Sequence, residues 1–212
     1  MGRSHGWKVV LGALVIVVAA GCGGRSGDDS EATPSAPVDE AIAVTPGAVT
    51  VATAGPQVGL DDAVRDQLIE TVKQYVQVAT VDPIRSGRVA KVAALFTAAA
   101  AARAEGVDRA VVVDEGLPRA TSNITATAVP VPITVLADQS GALVLASAGL
   151  DLTIATKTVD GPVEIHRVGS LTFAPEAGTW KVAGFDLAVS RAGAGIDVAL
   201  KAGSSTSTST KG

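Results

Sequence analysis

The spacing of the apolar residues changes once along the chain, at Pro118, and this change restricts the possible folds more than any other feature. Before Pro118, apolar side chains recur every three or four residues, which is the spacing of one face of a helix. The first such set is Leu60, Val64, Leu68, Val72, Tyr75, Val76 and Ala79. After Pro118, apolar residues alternate with polar or small ones, as in a strand with one buried face. The sequence therefore predicts helices first and a sheet second.

The helical part is predicted to contain two or three helices. Asp61 and Asp62 supply negative charge at the start of the first helix, where the helix dipole favours it, and Asp82-Pro83 is predicted to end it. A second helix is predicted from Val89 through the run of alanines to Glu105, before Gly106. Residues 108–115 fit either a short third helix or a strand, and the sequence leaves both interpretations open.

Four strands are predicted for the second part, at residues 120–137, 142–158, 163–174 and 179–190. The short connections favour an antiparallel meander, because parallel pairing needs crossovers of a dozen or more residues. Gly184 marks a change of phase and predicts a β-bulge, whereas Pro130 and Pro132 predict an edge or an interruption in the first strand. The expected fold is α+β, with two to three N-terminal helices packed on a bent four-stranded antiparallel sheet.

The first 21 residues have the features of an export signal. Arg3 and Lys8 precede an apolar run from Val9 to Ala20 that is too short to span a membrane, and small residues follow. Ala19-Ala20-Gly21-Cys22 resembles the lipobox of bacterial lipoproteins. That resemblance implies cleavage before Cys22 and acylation of its thiol, which would anchor the protein to the outer face of the cell membrane. The alternative is an ordinary signal peptide with an incidental cysteine.

The segments on either side of the central region have a different composition. Residues 22–59 are rich in Gly, Ser, Thr and Pro, which predicts a flexible tether after the lipidated Cys22. A loose hairpin around Pro46-Gly47 is an alternative for part of this segment. Residues 192–212 end in alternating Ser and Thr and are predicted to be a disordered tail. Residues 60–191, between these two segments, are predicted to form one folded domain.

Three stretches of this domain resemble the NTF2-like superfamily, also called SnoaL-like, and in particular its exported and Mce-associated members. The stretches are Val89-Ala90-Lys91-Val92-Ala93-Ala94-Leu95-Phe96-Thr97, Asp114-Glu115-Gly116-Leu117-Pro118, and Leu171-Thr172-Phe173 with Gly178-Thr179-Trp180-Lys181-Val182. The resemblance implies a cone between the sheet and the helices. Enzymes of this superfamily carry an acid or base in the cone, and many members pair sheet to sheet, so the resemblance also implies a possible homodimer.

The sequence contains few patterns that are typical of nucleic-acid, cofactor or metal binding. Its net charge of −4, with no stripe of Lys and Arg, predicts no nucleic-acid partner. Because the chain has no phosphate-binding glycine loop, dinucleotide fingerprint or metal-ligand spacing, no cofactor or metal is predicted.

The candidate acids and bases are His166, Glu164, Asp151, Asp186 and Tyr75. Glu164 and His166 share the strand face opposite the apolar residues, so both are expected to face solvent. Asp151 and Asp186 are also expected to point outward. Tyr75 is predicted to be a core aromatic with its hydroxyl at the rim.

These observations favour an envelope lipoprotein without enzymatic activity. Its domain is expected to bind an apolar small molecule, such as a lipid, or an envelope protein. One alternative is a small isomerase, dehydratase or hydrolase that uses His166 or an acid in the cone. Another is an accessory subunit of a lipid-transport or cell-wall complex, which predicts an exposed apolar patch on the order of several hundred Å² on the sheet.

Overall fold

The computed structural model describes residues 43–53, 55–127 and 129–196. The predicted signal, Cys22 and most of the predicted tether and tail lie outside these ranges. Within the described ranges, no helix is both long enough and apolar enough to cross a membrane.

One long helical stretch dominates the first part. The side chain of Asp61 caps α1 (Asp62–Val76) by accepting a 2.7 Å hydrogen bond from the Ala63 N–H. The stretch continues through a π-helical turn (Gln77–Val81) into α2 (Asp82–Ser86). The prediction that Asp82-Pro83 ends the helix is wrong. The helix widens into the π turn just before Pro83, and it continues with the proline in the first turn of α2.

The predicted second helix is broken into shorter pieces. A 3-10 turn (Ala93–Leu95) precedes α3 (Ala98–Glu105). Between them the chain is extended, because Phe96 forms a bridge with Val182 and the Thr97 N–H donates to the Val182 carbonyl at 2.9 Å. The ambiguous segment forms a short helix, α4 (Arg109–Val112), followed by an extended Val113.

The sheet has six strands and mixed direction. The strands are β1 (Val44–Thr53), β2 (Thr125–Ala126), β3 (Val129–Ala137), β4 (Leu143–Thr158), β5 (Gly161–Glu176) and β6 (Thr179–Ala192). Their order is β1-β3-β4-β5-β6, and β2 pairs with β4 beyond the end of the β3–β4 ladder. β1 runs parallel to β3, whereas the other pairs are antiparallel.

The predicted architecture of two to three helices on a four-stranded antiparallel sheet is therefore wrong. The sheet is mixed and has six strands, and α1 is the one long helix among the described residues. Residues 44–53, assigned by composition to the tether or to a hairpin, form a parallel edge strand. Its register shifts between Pro46 and Val49, and an edge strand with such an irregularity tolerates proline.

Two local predictions for the sheet are confirmed. The register of β5 and β6 shifts where Thr172 pairs with Gly184 and Phe173 with Val182, so a bulge lies at the predicted glycine. β3 lies between β1 and β4, but it pairs with β4 only from Ile133 onward, so the segment with Pro130 and Pro132 has an edge on the β4 side and pairs only with β1.

The core lies between one face of the sheet and the helical layer. β3 to β6 contribute a continuous row of buried side chains to this face. Its largest members include Ile133, Leu152, Ile154, Ile165, Arg167, Leu171 and Phe173. Arg167 is the exception in this set, since an arginine is almost never fully buried unless it is paired.

Candidate functional site

Arg167 reaches from the middle of β5 into the helical layer and is 1% exposed. Its Nη1 donates to the hydroxyl of Tyr75 and to the carbonyl of Val112. Its Nη2 donates to Oδ2 of Asp114 at 2.5 Å. Within the described part of the chain, its Nε has no hydrogen-bond partner. The guanidinium thus links β5 to α1 and to the segment that follows α4.

Asp114 is the shared acceptor of this buried cluster. Its Oδ2 accepts from Arg167 and, at 2.8 Å, from the hydroxyl of Thr80. Its Oδ1 accepts from Nε of Arg191, also at 2.8 Å. Nη2 of Arg191 donates to the carbonyls of Ala110 and Val113 at 2.9 and 3.1 Å. One carboxylate, itself 1% exposed, therefore connects β5, β6 and the helices.

The irregular helix also provides the acceptor for the backbone N–H of Asp114. Pro83 has no N–H, so it cannot make the helical hydrogen bond to the Ala79 carbonyl four residues earlier. The backbone N–H of Asp114 donates to this carbonyl instead, at 2.8 Å. The π turn and the proline thus supply a backbone acceptor for Asp114, next to the Thr80 hydroxyl.

This cluster is suited to holding the two layers together. Burial raises the pKa of Tyr75, and the nearby charge of Arg167 only partly opposes that rise. The phenol therefore stays protonated near neutral pH and donates to the Val112 carbonyl at 2.8 Å. Tyr75 is therefore a fixed hydrogen-bonded link between α1, α4 and β5.

A second ion pair lies beside the cluster. Nε and Nη2 of Arg109 donate to the two carboxylate oxygens of Glu115 at 3.0 and 2.5 Å, and the Ala90 N–H donates to the same carboxylate at 2.5 Å. Burial tends to raise the pKa of Glu115, but these hydrogen bonds and the charge of Arg109 outweigh it, so the pKa lies below its usual range. Glu115 therefore fastens the loop before the 3-10 turn to α4.

A cleft opens at the end of the sheet where β4 turns into β5, and we call it the sheet-end cleft. Its volume is about 570 Å³. It is lined by Ser122, Asn123, Thr125, Ala155, Thr156, Lys157, Pro162, Val163, Glu164, Ala192 and Gly193. Small and apolar side chains alternate with hydroxyl and amide groups, and the exposed Lys157 and Glu164 add one charge of each sign.

The structure brings two of the sequence-predicted candidates together, His166 and Asp151, and places the others apart from them. Glu164 lines the sheet-end cleft and is exposed. His166 lies on the open face of the sheet, where its Nε2 is 2.9 Å from Oδ1 of Asp151 and its side chain is 44% exposed. Asp186 is exposed. Tyr75 is a core aromatic, but the prediction of a hydroxyl at the rim is wrong, because its hydroxyl is buried against Arg167 and Val112.

Sequence reasoning missed the buried Arg167 and the half-buried Arg191, although the pattern contained a signal. Arg167 is in phase with Val163, Ile165 and Leu171, which all lie on the buried face of β5. Arg191 is in phase with Val189 after the bulge. A charged residue on the buried face of a strand predicts a partner of opposite charge in the core. No comparable pattern identified Asp114 as that partner.

No metal-binding group of three His, Cys, Asp or Glu side chains occurs among the described residues. No family model, curated protein or solved structure matches the chain.

Proposed function

We propose that the protein is an exported, membrane-anchored lipoprotein that binds an apolar or amphipathic small molecule and is not an enzyme. The sheet-end cleft is the observation that carries the binding part of this proposal. The anchoring part rests on the lipobox-like sequence at Cys22, the one cysteine of the chain.

The size and chemistry of the sheet-end cleft favour a small ligand. Its volume of about 570 Å³ falls within the range of roughly 300–1,000 Å³ that is common for ligand pockets. Ala155, Pro162, Val163 and Ala192 provide an apolar surface, while the hydroxyl and amide groups beside them can orient one polar group of a ligand. This combination is typical of sites that hold a small molecule in one orientation.

The arrangement of titratable groups argues against the enzyme alternative. The pair of His166 and Asp151 stands on the open sheet face, and neither residue lines the sheet-end cleft. Glu164 does line the cleft, but no histidine, cysteine or tyrosine lies beside it there. A general acid or base acts through a second group or a bound reactant held at hydrogen-bond distance. Lys157 and three hydroxyl residues also line the cleft, but in the described part of the chain no hydrogen bond or ion pair joins any of them to Glu164.

A protein partner is the second candidate, because one apolar contact lies on the open sheet face. Leu136 and Leu145 are direct neighbours across β3 and β4 and are 44% and 38% exposed. Two neighbouring leucines are a small patch compared with a typical stable interface. They favour, at most, a weak additional contact with another envelope protein.

Replacement of Cys22 with alanine is expected to release the protein from the membrane fraction or to leave it as an unprocessed precursor. The reason is that the alanine variant has no thiol to acylate. Fractionation, metabolic labelling with a fatty acid and intact-mass measurement check this. Ser26→Ala is the matched control. It should leave the localisation of the protein and the mass added by acylation unchanged. A Cys22→Ala variant that remains in the membrane at the processed mass would refute the anchor.

Filling the sheet-end cleft is expected to remove a bound molecule. The full chain is purified from membranes, and the organic extract is analysed by mass spectrometry. We expect a mass that is present for the native chain and depleted about tenfold or more in Ala155→Phe, since an overpacked pocket excludes its ligand. Ala188→Phe, an exposed position on β6, is the matched control and should retain that mass. Equal extracts from all three proteins would contradict the binding proposal.

A further inference from the structure

A second cavity lies between α4, the segment after it and the end of β6, and it shares no lining residue with the sheet-end cleft. Its volume is about 470 Å³. We call it the guanidinium cavity, because two arginines line it together with apolar side chains. Its main lining residues are Arg109, Ala110, Val113, Leu117, Arg191 and Ile196.

Two guanidinium groups share one carboxylate directly behind the cavity. Glu115, which also lines the cavity, is neutralised by its two hydrogen bonds from Arg109. Asp114, behind Arg191, is shared between Arg191 and Arg167. The Asp114 cluster therefore carries one more positive than negative charge, whereas Arg109 pairs with Glu115 and also lies near the negative charge of Glu105.

Donor capacity also remains on the two arginines that line the cavity. Arg191 uses its Nε and Nη2 for Asp114 and for two backbone carbonyls, and Arg109 uses the same two atoms for Glu115 and Ala90. In the described ranges, Nη1 of each arginine makes no hydrogen bond. A guanidinium is suited to planar oxyanions, and a carboxylate accepts its N–H groups in a fixed geometry.

The remaining lining residues are apolar and favour a ligand that also carries hydrocarbon. Val113 and Ile196 are buried core residues, and Leu117 is half-buried against the same core. Because apolar surface beside a cation favours an anion that carries hydrocarbon, we propose that the guanidinium cavity binds the carboxylate of a molecule with a short apolar body. This site goes beyond the proposed function, since the sheet-end cleft is a different part of the surface.

The experiment uses the full chain and a photoreactive probe. The probe is a ten-carbon carboxylic acid with an aliphatic diazirine, and the corresponding alcohol serves as the uncharged comparison. After irradiation and trypsin digestion, adducts are mapped by mass spectrometry. The acid is expected to label the peptide Ala110–Arg119, and the alcohol to label it about tenfold less, because a hydrogen bond between two charged groups is stronger than one to a neutral hydroxyl. Excess decanoate should compete.

Two variants locate the label. Ala110→Phe narrows the cavity at an exposed helical position and is expected to reduce labelling about tenfold. Ala102→Phe, an exposed position on α3, is the matched control and should label like the native chain. The inference is overturned if the acid and alcohol label equally, if Ala110→Phe labels normally, or if the adducts map outside the cavity.

Discussion

Replacing Asp114 with asparagine is expected to lower the free energy of unfolding by about 3–5 kcal/mol. Asp114 accepts from Thr80, Arg167 and Arg191, and its side chain is fully buried. Asparagine removes the negative charge and leaves the guanidinium of Arg167 buried without a counter-ion. Urea denaturation followed by circular dichroism measures the change.

Asp108→Asn is the matched control for this prediction. Asp108 also pairs with an arginine, at 2.7 Å from Arg103, but the Arg103 side chain is 59% exposed and that of Asp108 is 27% exposed. A pair so open to water contributes about 1 kcal/mol or less. If Asp114→Asn destabilises the protein no more than Asp108→Asn, the buried cluster does not hold the layers together as described.

Replacing Gly169 with alanine is expected to have an effect of similar size on stability. Gly169 has a φ of +137°, and a Cβ atom built there would lie 1.9 Å from the carbonyl oxygen of Asp186 on β6. The backbone conformation alone costs about 1–3 kcal/mol for a residue with a side chain. The overlap with a backbone atom adds to this cost, because it forces β5 and β6 apart. The expected result is a large fall in the thermal midpoint of unfolding.

Gly184→Ala separates this effect from the general cost of changing a glycine in the same strand pair. Gly184 lies opposite Thr172, and a Cβ there would meet the Thr172 Cβ at an ordinary 3.8 Å. We expect the stability of this variant to stay within about 1 kcal/mol of the native value. Equal destabilisation by Gly169→Ala and Gly184→Ala would show that the close approach at Gly169 does not limit stability.

The last three strands, β4 to β6, were predictable because their pattern is local, whereas the single strand predicted at residues 120–137 is divided into β2 and β3. Alternation along each strand fixes which face is buried, and the glycine at the phase change located the bulge of β6. The edge strand β1 escaped prediction because Pro46 and Gly47 give its segment the composition of a linker. Its pairing with β3 depends on residues far away in the sequence, which no local pattern reports.

The buried cluster was less predictable than the strands for the same reason. The position of Arg167 on an apolar face was visible in the sequence, but Asp114 lies 53 residues away from it. Their contact depends on the π turn, which places the Ala79 carbonyl and the Thr80 hydroxyl beside Asp114. Propensities describe helices that begin and end normally, so they do not predict a helix that continues through Pro83.

The parallel pairing of β1 with β3 has a consequence for the order in which the chain folds. Val44 pairs with Val129, so the entire helical layer lies between the two partners in the sequence. The antiparallel hairpins from β3 to β6 close over short turns and lose little chain entropy on closing. We therefore expect β1, although it is synthesised before β3 to β6, to dock after these strands have formed their part of the sheet.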